Sequence, residues 1–180
     1  LGQLHDPFTD KQVVRNAIVS AAVQMAAYMA RYNVDESVIA EVAVKNRGNG
    51  VLNEYAHLRQ AITVEDVLNS PILTWPMKRL DSSPVSSGAA AVLVGNENIK
   101  PSRTAVYATG FGSYAGGRTV GSRMVPDDNS YLDGSDLAEA AQRAYATAGI
   151  TRPDEEIGLA EVYSSFTILE LLSIEALRLN

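Results

Sequence analysis

Leu80-Asp81-Ser82-Ser83-Pro84-Val85-Ser86-Ser87-Gly88-Ala89-Ala90-Ala91-Val92 is the stretch whose reading decides the fold. Hydroxyls and a glycine lie directly ahead of a run of small apolar residues that continues through Leu93 and Val94. Its length and its bounding residues predict a loop followed by a buried strand, too small in its side chains for an ordinary aliphatic core strand. On residue physics alone two readings stay open. Ala89, Ala90 and Ala91 can pack beneath a helix while the serines make turn hydrogen bonds, or the small side chains can let a ligand approach closely.

Upstream, Thr9 followed by Gln12 forms a capping-box pattern ahead of a long helical segment that runs to Arg31. Ile18, Ala22, Met25 and Met29 leave it only a thin polar face at Arg15, Gln24 and Arg31. Asp35 is placed to cap a second helix through Val38, Val42 and Val44, with its end expected near Gly48-Asn49-Gly50. Thr63 and Asp66 open a short third helix, Val64 to Leu68. Pro71, Pro76 and Pro84 then break the pattern. Downstream, polar Asn96 to Ser102 reads as a linker with a domain boundary near Lys100, and Thr104 to Thr109 alternates as a strand. Residues 111–134 are rich in Gly, Ser and Asp without a sustained period, which suggests a long functional loop. Ser135 is expected to cap a helix ending at Gly149, followed by a strand over Glu156 to Val162 and an amphipathic helix over Ser165 to Leu177.

Composition excludes several classes of function. The net charge of -6, without runs of Lys or Arg, offers no basic stripe for a phosphate backbone, so nucleic acid is not an expected partner. No apolar run approaches the roughly 20 residues of a bilayer span, and the first residues lack a signal-peptide layout, so a soluble cytoplasmic protein is expected. The chain has no cysteine, which removes disulfides, thiolate metal sites and any cysteine nucleophile from this stretch. His5 and His57 have no neighbours at metal-ligand spacing, so no metal site is expected.

Gly110-Phe111-Gly112-Ser113-Tyr114-Ala115 formally fits a dinucleotide fingerprint. It is rejected because polar loop sequence follows, where the fingerprint needs a helix N-terminus for the pyrophosphate. Glu161-Val162-Tyr163-Ser164-Ser165-Phe166 places polar side chains where a predicted strand meets a helix, the usual position of α/β sites. A helix cap with a buried tyrosine explains the same pattern, and Tyr114 in its glycine-rich loop is equally ambiguous.

Taken together, these segments resemble the thiolase superfamily, especially its sterol-carrier and archaeal acetyl-CoA acetyltransferase branch with the lipid-transfer, retro-aldolase homologues. Val42-Ala43-Val44-Lys45-Asn46, then Ala61 to Leu68 with Ser70-Pro71, is similar to the loop region that lies over coenzyme A in that group. Leu80 to Val92 resembles its D-C-S-P-x-S-D-G-A-A-A-V motif, with Ser82 in place of Cys and Ser87 in place of Asp. Glu161 to Phe166 resembles E-V-H-D-x-F, with Tyr163 at the histidine position.

The resemblance implies an α/β fold with the layers α/β/α/β/α, of which this chain holds the middle portion. Residues 1–75 would be the loop region and the end of the N-terminal half, 76–100 its last strand and linker, and 101–180 the start of the C-terminal half. The loop with the acylated cysteine is expected before Leu1, and the G-H-P-x-G and C-x-G loops after Asn180. The implied activity is carbon–carbon bond cleavage or formation in acyl-CoA thioesters through an acyl-CoA enolate, either thiolytic acyl transfer or retro-aldol cleavage as in lipid and steroid side-chain degradation. A non-catalytic acyl-CoA or lipid carrier, or a scaffolding subunit, is the alternative. The resemblance assigns Tyr163 and Tyr114 to catalysis and Ser83, Ser86, Ser87 and Gly88 to the acyl-CoA. It implies coenzyme A as a substrate moiety with no covalently bound cofactor, a homodimer or tetramer, and a zinc-ribbon/OB-fold acyl-CoA-binding partner.

Overall fold

The Asn16 side-chain oxygen accepts from the Val19 N–H at 3.1 Å and caps helix α1, Ala17–Tyr32. The computed structural model describes residues 16–96, 98, 105–116 and 134–180, so Thr9, Gln12 and His5 lie outside the described residues. Ala21, Ala22, Met25 and Tyr28 form the buried stripe of α1 at helical spacing. Asp35 caps α2, Glu36–Leu52, as expected, accepting the Ser37 N–H at 2.8 Å.

The expected end of α2 at Gly48-Asn49-Gly50 is corrected, because the helix continues to Leu52. Ala40, Ala43 and Val44 fix the helix upstream against Val67, and a helical glycine costs only about 1 kcal/mol relative to alanine. Helix α3, Val64–Asn69, starts with the predicted capping box: the Thr63 hydroxyl accepts from the Asp66 N–H, and the Asp66 carboxylate accepts from the Thr63 N–H at 2.8 Å. A small antiparallel hairpin follows, β1 Ile72–Thr74 and β2 Met77–Lys78, pairing Ile72 with Lys78 and Thr74 with Met77. Sequence periodicity is blind to strands this short. A 3-10 turn, Arg79–Asp81, leads from β2 into the serine-rich stretch.

Ser135 is the first residue of α4, Ser135–Ala148, and not its cap; Gly134 occupies that position with φ 55°, and Gly149 closes the helix with φ 74° as expected. After the short α5, Pro153–Glu156, helix α6 covers Thr167–Ala176. Helix α6 is the hub, packing against α1, α2 and α4. Met25, Ile39, Met77, Ile168 and Leu172 join α1, α2, the hairpin and α6 in one apolar core.

Three predicted strands need correction. Residues 88–94, 105–109 and 157–162 carry no ladder among the described residues, and Glu156 belongs to α5. The first is not buried either: Val92 is 86% and Val94 85% exposed. Small-residue runs and alternation specify extended backbone, whereas a ladder and a covered face depend on a neighbouring strand that local sequence does not encode. Thr104, Lys100 and the proposed boundary lie outside the described residues, as does 117–133 of the long loop. None of the described helices is long and apolar enough to cross a membrane.

The glycines of the rejected fingerprint have a packing role. A Cβ on Gly112 would stand 1.8 Å from the Ala140 carbonyl oxygen, and one on Gly110 would stand 2.3 Å from that of Ala144, so the segment lies directly on the backbone of α4. Gly112→Ala should therefore lift the segment from α4, costing about 2 kcal/mol and breaking the 3.0 Å bond from Arg143 Nη1 to the Ser113 carbonyl. Hydrogen exchange at residues 110–116 checks it; unchanged protection would refute the close approach.

Candidate functional site

Asp81 ties the two most informative sequence stretches together. Its Oδ2 accepts the Lys78 N–H at 2.9 Å, and its Oδ1 accepts the Thr167 hydroxyl at 3.0 Å. The residue is only 3% exposed. Burial pushes its carboxyl pKa up, against the opposing hydrogen bonds from Lys78 and Thr167. Beside it, Ser82 and Phe166 form an isolated antiparallel bridge, and the Ser83 N–H donates to the Ser165 carbonyl at 2.9 Å. The stretches around 80–84 and 164–167 thus run side by side although more than eighty residues separate them in sequence.

Helix α2 supplies the third wall. Ala43, Asn46 and Arg47 share one face at i, i+3 and i+4. Asn46 is fixed by donating to Glu170 Oε2 at 2.6 Å, and Lys45 pairs with the other oxygen of that carboxylate. Burial pushes the Glu170 pKa up, but hydrogen bonds from Lys45 and Asn46 outweigh it and hold the carboxyl below the usual range. A carboxylate with a depressed folded pKa stabilises the fold above its unfolded pKa, and that contribution is lost as pH falls through the folded value. Glu170→Gln should accordingly flatten the acid limb of a stability curve measured below about pH 5. A variant with the wild-type acid limb would exclude Glu170 as its source.

Between these walls lies a cavity of about 160 Å³, bounded by α2, Leu58, residues 80–84 and residues 164–167. Ser82, Ser83, Ser164, Ser165, Asp81 and Arg47 are the polar residues of its lining and Leu80 and Phe166 stand among the apolar ones, the lined surface being more apolar than polar. It can hold a ligand carrying oxygen acceptors on a short apolar body.

Ser83 lines this cavity. Ser86 lies outside its lining, its hydroxyl 2.5 Å from His57 Nδ1, and Ser87 and Gly88 are exposed. Tyr163 is 80% exposed, adjoining Ser164 of the wall without itself lining the cavity. Tyr114 stands against α4, with the Arg143 guanidinium 5.1 Å from its ring centroid. Asp81 and Ser164 fall inside the two motif stretches without a role of their own, and Arg47 and Thr167 fall just outside the motifs. The spacing of Ala43, Asn46 and Arg47 was available as a signal, whereas the Asp81–Thr167 bond depends on tertiary structure. Among the described residues no group of three or more His, Asp or Glu side chains is placed to hold a metal ion.

This arrangement joins the three stretches that resemble the thiolase superfamily, and the chain's relatives are thiolase-superfamily proteins and their homologues. The BbsB subunit of benzoylsuccinyl-CoA thiolase from Thauera aromatica is 29% identical over 181 residues, covering 95% of this chain and 44% of that subunit. An acetyl-CoA acetyltransferase from Methanothermobacter thermautotrophicus is 31% identical over 158 residues, 87% of this chain and 39% of the relative. The chain therefore spans less than half the length of these relatives. Among solved structures, an Ltp2-ChsH2(DUF35) aldolase superposes with a TM-score of 0.68 at 22% identity, over 95% of this chain and 44% of the other, a likeness of fold. No family model matches the chain.

Proposed function

We propose that this chain forms part of a thiolase-superfamily protein that acts on acyl-CoA thioesters, making or breaking a carbon–carbon bond through an acyl-CoA enolate. The observation that carries this is the cavity walled by all three stretches that resemble the family. The relatives add support through the CoA thioesters in their names. On this reading the protein has the layered α/β/α/β/α fold, and the largely exposed rows at 88–94, 105–109 and 157–162 pair with further strands of it.

Two chemistries lead to the enolate. In thiolysis a cysteine thiolate attacks the ketone of a 3-ketoacyl-CoA, and the Cα–Cβ bond breaks with its electrons passing to the thioester enolate, which takes up a proton. The acyl group left on sulfur is then transferred to the thiol of free CoA, releasing the cysteine. This chain contains no cysteine, so that nucleophile would come from elsewhere in the protein. In retro-aldol cleavage a base removes the β-hydroxyl proton, the carbonyl forms as the Cα–Cβ bond breaks, and the enolate takes up a proton to leave acyl-CoA. Tyrosine at the histidine position favours the second route. The Tyr163 phenol would donate to the thioester oxygen or exchange the proton, with Tyr114 as the secondary candidate and Ser83, Ser86, Ser87 and Gly88 along the pantetheine. The two-component name of the aldolase neighbour supports a second protein beside this one; that partner's zinc-ribbon/OB-fold character and the homo-oligomeric state are taken from the family resemblance.

A second reading, a non-catalytic acyl-CoA or lipid carrier, draws on the exposure of Tyr163 outside the cavity wall. Incubating the complete protein with a 3-hydroxyacyl-CoA alone, and with a 3-ketoacyl-CoA plus free CoA, separates the three. Cleavage of the first substrate supports retro-aldol chemistry, and cleavage of the second supports thiolysis. Binding of both without cleavage leaves the carrier, and failure to bind either refutes the acyl-CoA assignment.

A further inference from the structure

Among the described residues, Arg47 carries the one buried side-chain nitrogen or oxygen without a hydrogen-bond partner. Its Nη1 is buried and has no hydrogen-bond partner among the described residues, although the side chain lines the cavity. The neighbouring acceptors are committed elsewhere: Asp81 uses one oxygen on the Lys78 N–H and the other on Thr167, and Glu170 is held by Lys45 and Asn46. A buried cationic donor left unpaired is among the costliest polar defects a fold can carry. Lys45 and Asn46, anchored on Glu170, fix the turn of α2 that carries it.

We propose that Arg47 is an anion anchor, whose buried Nη1 takes a carboxylate or phosphate oxygen of the ligand held in the cavity. A planar guanidinium matches either group, and the charge-assisted bond would satisfy the orphaned donor. The inference rests on the acyl-CoA assignment for the identity of the ligand. The oxygen can then belong to a phosphate of the CoA or to a carboxylate on the acyl chain.

Three thioesters distinguish the sources when titrated into the complete protein and its Arg47→Met variant: acetyl-CoA, S-acetylpantetheine and S-succinylpantetheine. S-acetylpantetheine carries neither anion, and its affinity should stay within about twofold of wild type in the variant. A phosphate contact predicts at least a tenfold loss for acetyl-CoA only, and a carboxylate contact the same loss for S-succinylpantetheine only, as befits a charge-assisted bond. Binding of all three unchanged by Arg47→Met overturns the proposal and leaves ordered water as the partner of Nη1. If wild type binds none of them, the acyl-CoA assignment fails, and Arg47 is tested by melting both proteins in phosphate and in succinate. Stabilisation by either anion in wild type alone sustains the anchor; equal shifts, or none, overturn it. Should Arg47→Met fail to fold, Arg47→Gln is read in the same way.

Discussion

Tyr163→Phe in the complete protein is expected to lower kcat by about a hundredfold or more on the productive acyl-CoA substrate, the lower end of what a positioned general acid or base contributes. KM should move little, because a phenol that acts on the developing enolate adds little to ground-state binding. The exposure of Tyr163, at 80%, makes the experiment clean. Removing the hydroxyl of an exposed tyrosine changes stability by no more than about 0.5 kcal/mol, so a lost rate cannot be ascribed to unfolding. Steady-state kinetics alongside thermal unfolding decide the matter. Unchanged turnover at unchanged stability would remove Tyr163 from the chemistry.

Asp81→Ala is the second large effect, and it falls on stability. The substitution leaves the buried Lys78 N–H and the buried Thr167 hydroxyl without their acceptor, at roughly 1–3 kcal/mol for each unsatisfied group. A total loss of about 3 kcal/mol is expected, part of the two gross costs being offset by removing a carboxylate that burial disfavours. Asp81→Asn should stay within about 1 kcal/mol of wild type, since its amide oxygen can accept from Lys78 while its N–H donates to the Thr167 oxygen.

The pH dependence follows from the upward shift. A carboxyl whose folded pKa lies above its unfolded value binds its proton more tightly in the fold, so stability falls as pH rises from roughly 3.9 through the raised value. Asp81→Asn should abolish that falling limb, whereas Glu170→Gln acts on the opposite, acid-side loss. Urea denaturation between about pH 2 and 7 measures both. An Asp81→Ala variant as stable as wild type would show that the two stretches are held together by other contacts.

Local rules found what is locally determined. Asp35, the Thr63–Asp66 capping box and Gly149 each act within a few residues of themselves, and each marks a helix end in the structure. The sequence of α6 likewise shows its apolar face, with Ile168 and Leu172 in the core. Partnership between distant segments was not legible. Val92 and Val94 have strand-like composition, yet no described strand covers them. The Ser82–Phe166 bridge and the Asp81–Thr167 bond have no periodic signature, so residue physics alone could not choose between turn and site for the serine-rich stretch. Resemblance named the stretches that meet at the cavity, but it passed over Arg47, whose role is visible only from an unpaired donor in three dimensions.

The central claim is that an acyl-CoA thioester docks in the cavity between α2 and the two motif stretches. Calorimetric titration of the complete protein with acetyl-CoA, alongside Ser164→Trp, tests it most directly, because Ser164 lines the wall and an indole would fill much of the 160 Å³ available. Saturable binding by wild type, weakened at least tenfold in a folded Ser164→Trp variant, is the predicted result. Absence of binding at about millimolar ligand, or equal affinity in the filled variant, would contradict it.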